Sequence, residues 1–214
     1  MYIPPLFAET RIDVLQQCIR DHAFGALITQ DAAGLNANHI PFEIDAEPAP
    51  FGTLRAHVSR NNPLWREQDP AREALMIFQG PHTYVTPSWY PSRHDGGKVV
   101  PTWDYIVVHA YGQLQIREDA AWLHAHVARL TSQHEAGFAQ PWQLDSAPAA
   151  YIAAQLHGIV GLEIRITRLL GKWKTNQNRP RADQLAVAQA LRERGDAPAL
   201  GIADAIARHN QSRD

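Results

Sequence analysis

The stretch Phe78–Tyr105, FQGPHTYVTPSWYPSRHDGGKVVPTWDY, constrains this chain more than any other. Its four prolines (Pro81, Pro87, Pro91, Pro101) bar a helix and hold the backbone extended or turned. Within 28 of 214 residues it carries six of the 18 aromatics: Phe78, Tyr84, Trp89, Tyr90, Trp103 and Tyr105. An even spread would put about two there. Aromatic rings on stiff backbone beside His82, His94 and Lys98 suit the lining of a site for a flat ligand. They equally suit a loop packed on the core, because most aromatics are simply buried.

The rest of the composition narrows the class. A net charge of −2 and a pI near 6.6 give no global pull toward nucleic acid or an anionic membrane surface. No apolar run approaches a bilayer span. The single cysteine, Cys18, allows no internal disulfide and fits a reducing compartment. Flanked by Leu15 and Ile19, it reads as a buried helix residue rather than a nucleophile. MYIPPLFAET has no basic segment leading into an apolar run, so no signal peptide is expected. A cytoplasmic location is the default expectation.

Periodicity predicts a helix over 10–22, a strand over 24–31, a turn at Ala33-Gly34 and a second strand over 35–45. Further strands are expected at 53–59, 74–78, 105–116 and 159–169, and a short segment after Pro63. Helices are expected over 118–135, from Pro148 to about 156 with Ser146 near its cap, from a capping Asp183 to Arg194 ended by Gly195, and over about 199–209. Six or seven strands interrupted by helices, without βαβ alternation, predict a mainly β (α+β) fold. It is an antiparallel barrel with flanking helices. The expected organisation is a barrel domain over 1–181 and a helical C-terminal appendage over 182–214.

Three segments combine ligand-type residues with backbone that reads as irregular. They are ANHIP (37–41), RAHVSRNNP (55–63) and GKWKTNQNRP (171–180). In the second, a strand end leading into a helix start offers backbone N–H groups, and with Arg60 these suit a phosphate. Around the third, six basic residues and no acid lie between Arg165 and Arg181, which fits either a phosphate contact or a solvated basic surface. Gly96-Gly97-Lys98 lacks the spacing of a P-loop. His124 and His126, two apart on a predicted helix, do not share a face, so no metal site is expected. His109 reads as a core histidine. No catalytic residue can be assigned.

These blocks resemble the PaiB-like family of FMN-binding transcriptional regulators. That family belongs to the FMN-binding split β-barrel group, with the pyridoxamine phosphate oxidases. The resemblance runs through MYIPPLF, ANHIPF, AHVSRNNPLW, ALMIFQGPHTYVTPSWYPS, KVVPTWDYIVVHAYG, IVGLEI and GKWKTNQNRP, in that order. Two departures from the family pattern stand out: Asp104, where Asn is common, and the pair Thr175-Asn176, where Leu-Ser is more frequent. The resemblance implies a homodimer with FMN at the subunit interface. It implies phosphate contacts from Ser59, Arg60 and Asn61 with His57 nearby, and flavin along Asn38, His39, Ile40 and Pro41. Trp173 and Arg179 are the implied counterparts of a C-terminal Trp and Arg in the oxidases, with Lys174 and Gln177 beside them. Trp89, Tyr90 and Trp103 would cover the ring. DNA binding is implied by the family label alone. A flavin-dependent oxidoreductase is the alternative. A haem-binding or haem-degrading split barrel, with His39, His57, His82 or His109 as ligand, is the third reading.

Overall fold

A computed structural model describes residues 1–211 of the chain. In chain order its elements are β1 (Ala8–Glu9), α1 (Ile12–Asp21), β2 (Phe24–Asp31), β3 (Gly34–Pro41), β4 (Glu43–Asp45), β5 (Thr53–Ser59) and α2 (Leu64–Glu67). There follow β6 (Glu73–Val85), β7 (Thr102–Arg117), α3 (Ala120–Glu135), α4 (Ala149–His157), β8 (Ile159–Arg165), β9 (Arg168–Lys174), α5 (Arg181–Arg194) and α6 (Ala197–Gln211). Internal contacts divide the chain into two compact units. The first holds Met1–Leu15, Gln79–Val108 and the chain from Leu170 onward; the second holds Gln16–Phe78 and His109–Leu169.

The second unit is built on antiparallel ladders. The β2–β3 hairpin pairs Phe24 with Pro41 through to Asp31 with Gly34. Its turn holds because the Asp31 carboxylate accepts from the N–H groups of Ala33 and Gly34, and Gly34 takes a φ of 123° that a side chain would resist. The first half of β6 flanks β2, with Ala26 opposite Ile77. β5 pairs β8 along its whole length, Thr53 to Arg165 through Ser59 to Ile159, and β4 lies on its other edge. The second half of β7 pairs β8, with Leu114 opposite Ile164.

Alternation along β5 sets the site described below. Leu54, Ala56 and Val58 are buried in the core, while Arg55 and His57 alternate with them and meet Glu163 and His126. α3 lies over β8 here because residue 161 is glycine. A Cβ on Gly161 would come within 2.2 Å of the Trp122 ring.

In the first unit, β1 pairs β9, Ala8 opposite Lys172. α5 and α6 pack against each other through buried Val187, Leu191, Ile202 and Ile206. Gly195 ends α5 in the left-handed conformation, φ 76°, as expected.

Several sequence expectations need correction. The strand expected over 35–45 breaks at Phe42. Its N–H still bonds in register to the Ala23 carbonyl at 2.9 Å, one step beyond the Phe24–Pro41 pair, and its ring packs edge-on against Phe78. The strand expected over 159–169 breaks at Ile166 and Thr167, although their N–H groups still bond in register to the Gly52 and Tyr111 carbonyls of the flanking chains. β9 then runs through GKWK, which is strand rather than irregular backbone. Similarly, β6 continues through Pro81 to Val85, so only residues 86–101 of the aromatic stretch are loop, with 3-10 turns at Pro87–Trp89 and Pro91–His94. Ser146 lies in its own 3-10 turn, and Pro148 precedes α4. Asp183 does not cap α5. It sits in the first turn, fully buried, and accepts from Ser92 N (3.0 Å) and Ser92 Oγ (2.6 Å).

Among the described residues, no helix is long and apolar enough to cross a membrane. Cys18 is buried in α1, and burial pushes its thiol up to about 12, the inert state expected of it.

Candidate functional site

The site residues read from the sequence fall into two groups. Asn38, His39, Ile40, Pro41, His57, Ser59, Arg60 and Asn61 lie in the second unit; Trp89, Trp103, Trp173, Lys174, Gln177 and Arg179 lie in the first.

In the second unit, the end of β5 and the strand β3 meet. Asn62 Nδ2 donates to Asn38 Oδ1 at 2.8 Å, and Asn62 Oδ1 accepts from Leu64 N at 3.0 Å, tying β3 to the turn that opens α2. Ile40 is buried, whereas His39 is exposed with its ring tilted toward Phe24. The backbone donors expected at the strand end are already engaged. Arg60 N bonds to Gly158 O, Asn62 N to Ser59 O, and Asn61 N to Ser59 Oγ at 3.3 Å.

Arg60 itself points its guanidinium inward. Nε donates to His157 O (2.9 Å), an Nη to Glu118 Oε1 (2.6 Å), and the other Nη to Ile159 O (3.2 Å). Three of its five N–H groups are thereby used, leaving two for a ligand. The Arg60–Glu118 pair sits on the rim of a cavity of about 530 Å³ between α3 and α4, floored by Leu123, Ile152 and Leu156.

His57 stands at the end of a hydrogen-bonded file. Its Nδ1 lies 3.1 Å from His126 Nε2; His126 Nδ1 lies 3.1 Å from Glu43 Oε2; Glu43 Oε1 accepts from Arg129 Nε at 2.5 Å. Trp122 stacks on the His126 ring at 5.3 Å and donates its Nε1–H to Glu163. Burial, and after it the charge on His126, push His57 down to about 4. His124, in contrast, lines the cavity beside Arg60, so the two histidines part as a helix requires. Sequence reading missed Glu43, His126 and Arg129 as a set. The available signal was the polar alternation Arg55, His57 on an otherwise apolar strand.

In the first unit, the aromatic stretch divides between core and surface. Tyr90 is fully buried; Tyr84 and Trp103 are about half exposed, at 44% and 55%. Trp103 stacks on His82 at 6.2 Å and meets Tyr84 edge-on at 6.3 Å, so an aromatic patch faces outward. Trp173 and Trp89 are half-buried.

The basic run is less free than its composition implied. Lys172 lies over Tyr105, Arg179 over Tyr90, and Lys174 donates to Thr102 Oγ1 and Trp103 O. Gln177 closes its own turn, donating to Trp173 O and accepting from Thr175 N.

The two departures from the family pattern meet at one point. Asn176, at a φ of 62°, donates from Nδ2 to Asp104 Oδ2 at 2.6 Å and accepts from the Tyr90 hydroxyl at 3.1 Å. Asp104 Oδ1 has no hydrogen bond; Lys174 Nζ is 3.9 Å away. Burial drives the Asp104 carboxyl up to about 7 against the pull of Lys174 and Asn176.

An antiparallel sheet with flanking helices is the architecture of a split β-barrel. Comparison with known proteins gives the family. Residues 1–168 match the model described as "Putative FMN-binding domain". The chain belongs to this FMN-binding, PaiB-like family, and FMN is the cofactor of its class. An uncharacterized protein of Emericella nidulans is 32% identical over 249 residues, covering 100% of this chain and 99% of that protein. "Protease synthase and sporulation protein PAI 2" of Bacillus subtilis is 28% identical over 204 residues, 95% of each chain. Among solved structures, the flavocytochrome Anf3 of Azotobacter vinelandii superposes with a TM-score of 0.57 at 8% identity, covering 79% of this chain and 70% of that one, a likeness of fold.

Proposed function

We propose that this chain is an FMN-binding regulator of the PaiB type, working as a homodimer with the flavin between two copies of the chain. The family match over residues 1–168 carries this reading. FMN needs hydrogen-bond donors for a phosphate of charge near −2 and apolar or aromatic surface for its ring. The β5 end supplies the first through the Ser59 hydroxyl, the Asn61 side chain and the two remaining N–H groups of Arg60. Asn38 to Pro41 run along the flavin. In the first unit, Trp173, Trp89 and Trp103 offer aromatic surface of the second kind, with Arg179, Lys174 and Gln177 as polar groups that could contact FMN, and the outward patch of His82, Tyr84 and Trp103 is the kind of surface a partner copy or a ring covers. The barrel domain of this reading spans 1–181, with α5 and α6 as its appendage. The buried thiol of Cys18 suits residence in the cytoplasm.

The test is an FMN titration of the purified protein, followed by tryptophan quenching and flavin absorbance. One FMN per protomer at micromolar affinity or better is expected; no saturation would overturn the flavin reading. Arg60→Ala should weaken FMN by about one to two decades, the worth of a charge-assisted hydrogen bond of roughly 1.5–3 kcal/mol. Unchanged affinity would remove Arg60 from the site.

Regulation through DNA is tested by salt-dependent retardation of duplex DNA. α5, Gly195 and α6 do not resemble a base-reading pair, since Ala199, Ile202, Ala203 and Ile206 of α6 are buried. A regulator acting through its flavin is therefore the favoured form. The oxidoreductase alternative predicts turnover of NAD(P)H or another small reductant by the FMN-loaded protein.

A further inference from the structure

The file Glu43–His126–His57 has a directional consequence. A carboxylate only accepts, so the proton between Glu43 Oε2 and His126 sits on His126 Nδ1. A neutral His126 then has a bare Nε2 and must accept from His57 Nδ1–H. That leaves His57 Nε2 as a lone pair, with no hydrogen-bond partner among the described residues, on a ring that is only half-buried.

We propose that His57 Nε2 is a proton-accepting site for a bound small molecule that presents an N–H or O–H group, with His126 and Glu43 as positioning residues that receive the charge. The inference does not depend on which molecule is bound.

The transfer balances as follows. The ligand's X–H bond breaks, X keeps the electron pair, and the proton forms the His57 Nε2–H bond. His57 Nδ1–H breaks as His126 Nε2–H forms. His57 ends neutral and His126 ends as the imidazolium, still bonded through Nδ1–H to Glu43. One proton thus turns His57 Nε2 from an acceptor into a donor.

Every element packed around the file has a reason to favour this end state or to hold it still. His126 is fully buried and clamped by Trp122, also of α3. Arg129 of α3 shares Glu43 of β4 and keeps it ionised. Arg55 of β5 lies between Asp45 of β4 and Glu163 of β8, and Arg117 of β7 also pairs Glu163, so these charges are mutually satisfied. The low value of His57 agrees: charge does not rest on the outer ring.

The test is histidine 15N NMR on the full-length protein between pH 5 and 8.5. At the alkaline end, His57 and His126 should both be Nδ1–H tautomers. On acidification His126 should become doubly protonated while His57 switches to the Nε2–H tautomer, both with one midpoint. Glu43→Gln should lower that midpoint, because the imidazolium loses its carboxylate partner. An Nε2–H tautomer of His57 at pH 8.5, or a His57 that titrates independently of His126, would overturn the proposal. So would an unchanged midpoint in a folded Glu43→Gln protein. The wild-type spectra decide the matter even if that variant does not fold.

Discussion

Glu43 and Asp104 are both buried carboxylates, yet they end in opposite states. Burial pushes both upward. At Glu43 the bonds from His126 and Arg129, one to each oxygen, outweigh it and hold the carboxyl below its ordinary range. At Asp104 the one strong donor is Asn176, Lys174 stands 3.9 Å off and one oxygen goes without a hydrogen bond, so burial prevails and the carboxyl rises to about 7. What separates the two is that Glu43 has a donor on each oxygen, whereas Asp104 is the more deeply buried and leaves one oxygen without a hydrogen bond.

Glu43→Gln gives the largest expected effect. Removing one partner strands Arg129 and His126 and should cost about 3 kcal/mol at pH 7, read from urea unfolding. The folded-state pKa of Glu43 is depressed, so its contribution is present above about 4.5 and is lost as pH falls through the folded value. The gap between variant and wild type should therefore narrow in acid. A loss too small to measure at pH 7 would break the comparison on its paired side.

Asp104→Asn should act the other way. The folded carboxyl binds its proton up to about 7 and the unfolded one only to about 3.8, so wild-type stability should fall as pH rises between those values. The amide removes that dependence. A gain of about 2 kcal/mol is expected at pH 8, roughly half of what the full rise is worth, with no gain near pH 4. Equal stability of the two proteins at pH 8 would mean that Asp104 is satisfied after all.

Asn176→Gly is the smallest and sharpest change. Glycine relieves the positive φ but takes away the donor to Asp104 and the acceptor of Tyr90. A net loss of about 1 kcal/mol is expected at neutral pH. The pH-dependent limb should extend to higher pH than in wild type, because Asp104 has lost a donor. A limb that stays in place would show that Asn176 does not govern the charge of Asp104.

Much of the fold was legible because it is local. β2 and β5 were read to the residue from period-two alternation, and Gly195 was read as the end of a helix from its conformational freedom. Two of the misreadings were at strand breaks. At Phe42 and at Ile166-Thr167 the residues are apolar or β-branched and favour continuation, and their N–H groups keep in-register partners across the sheet, yet the paired strand goes no further. No local pattern contains that information. The same limit applied to the site. The phosphate-type residues at the end of β5 were named from their chemistry, but the inward turn of the Arg60 guanidinium depends on Glu118 and on the carbonyls of His157 and Ile159.

The chain by itself determined its family and most of its strands, since ordered motifs and periodicity are written along it, and its side-chain chemistry pointed to candidate flavin contacts. Only the tertiary structure decided which of those groups are already engaged and which charges they carry. Glu43 and His126 are separated by 83 residues and become one hydrogen-bonded file only when α3 settles on the β5–β8 sheet over Gly161. Protonation depends on the donors and the water around a group, and both are set by what the fold brings near it.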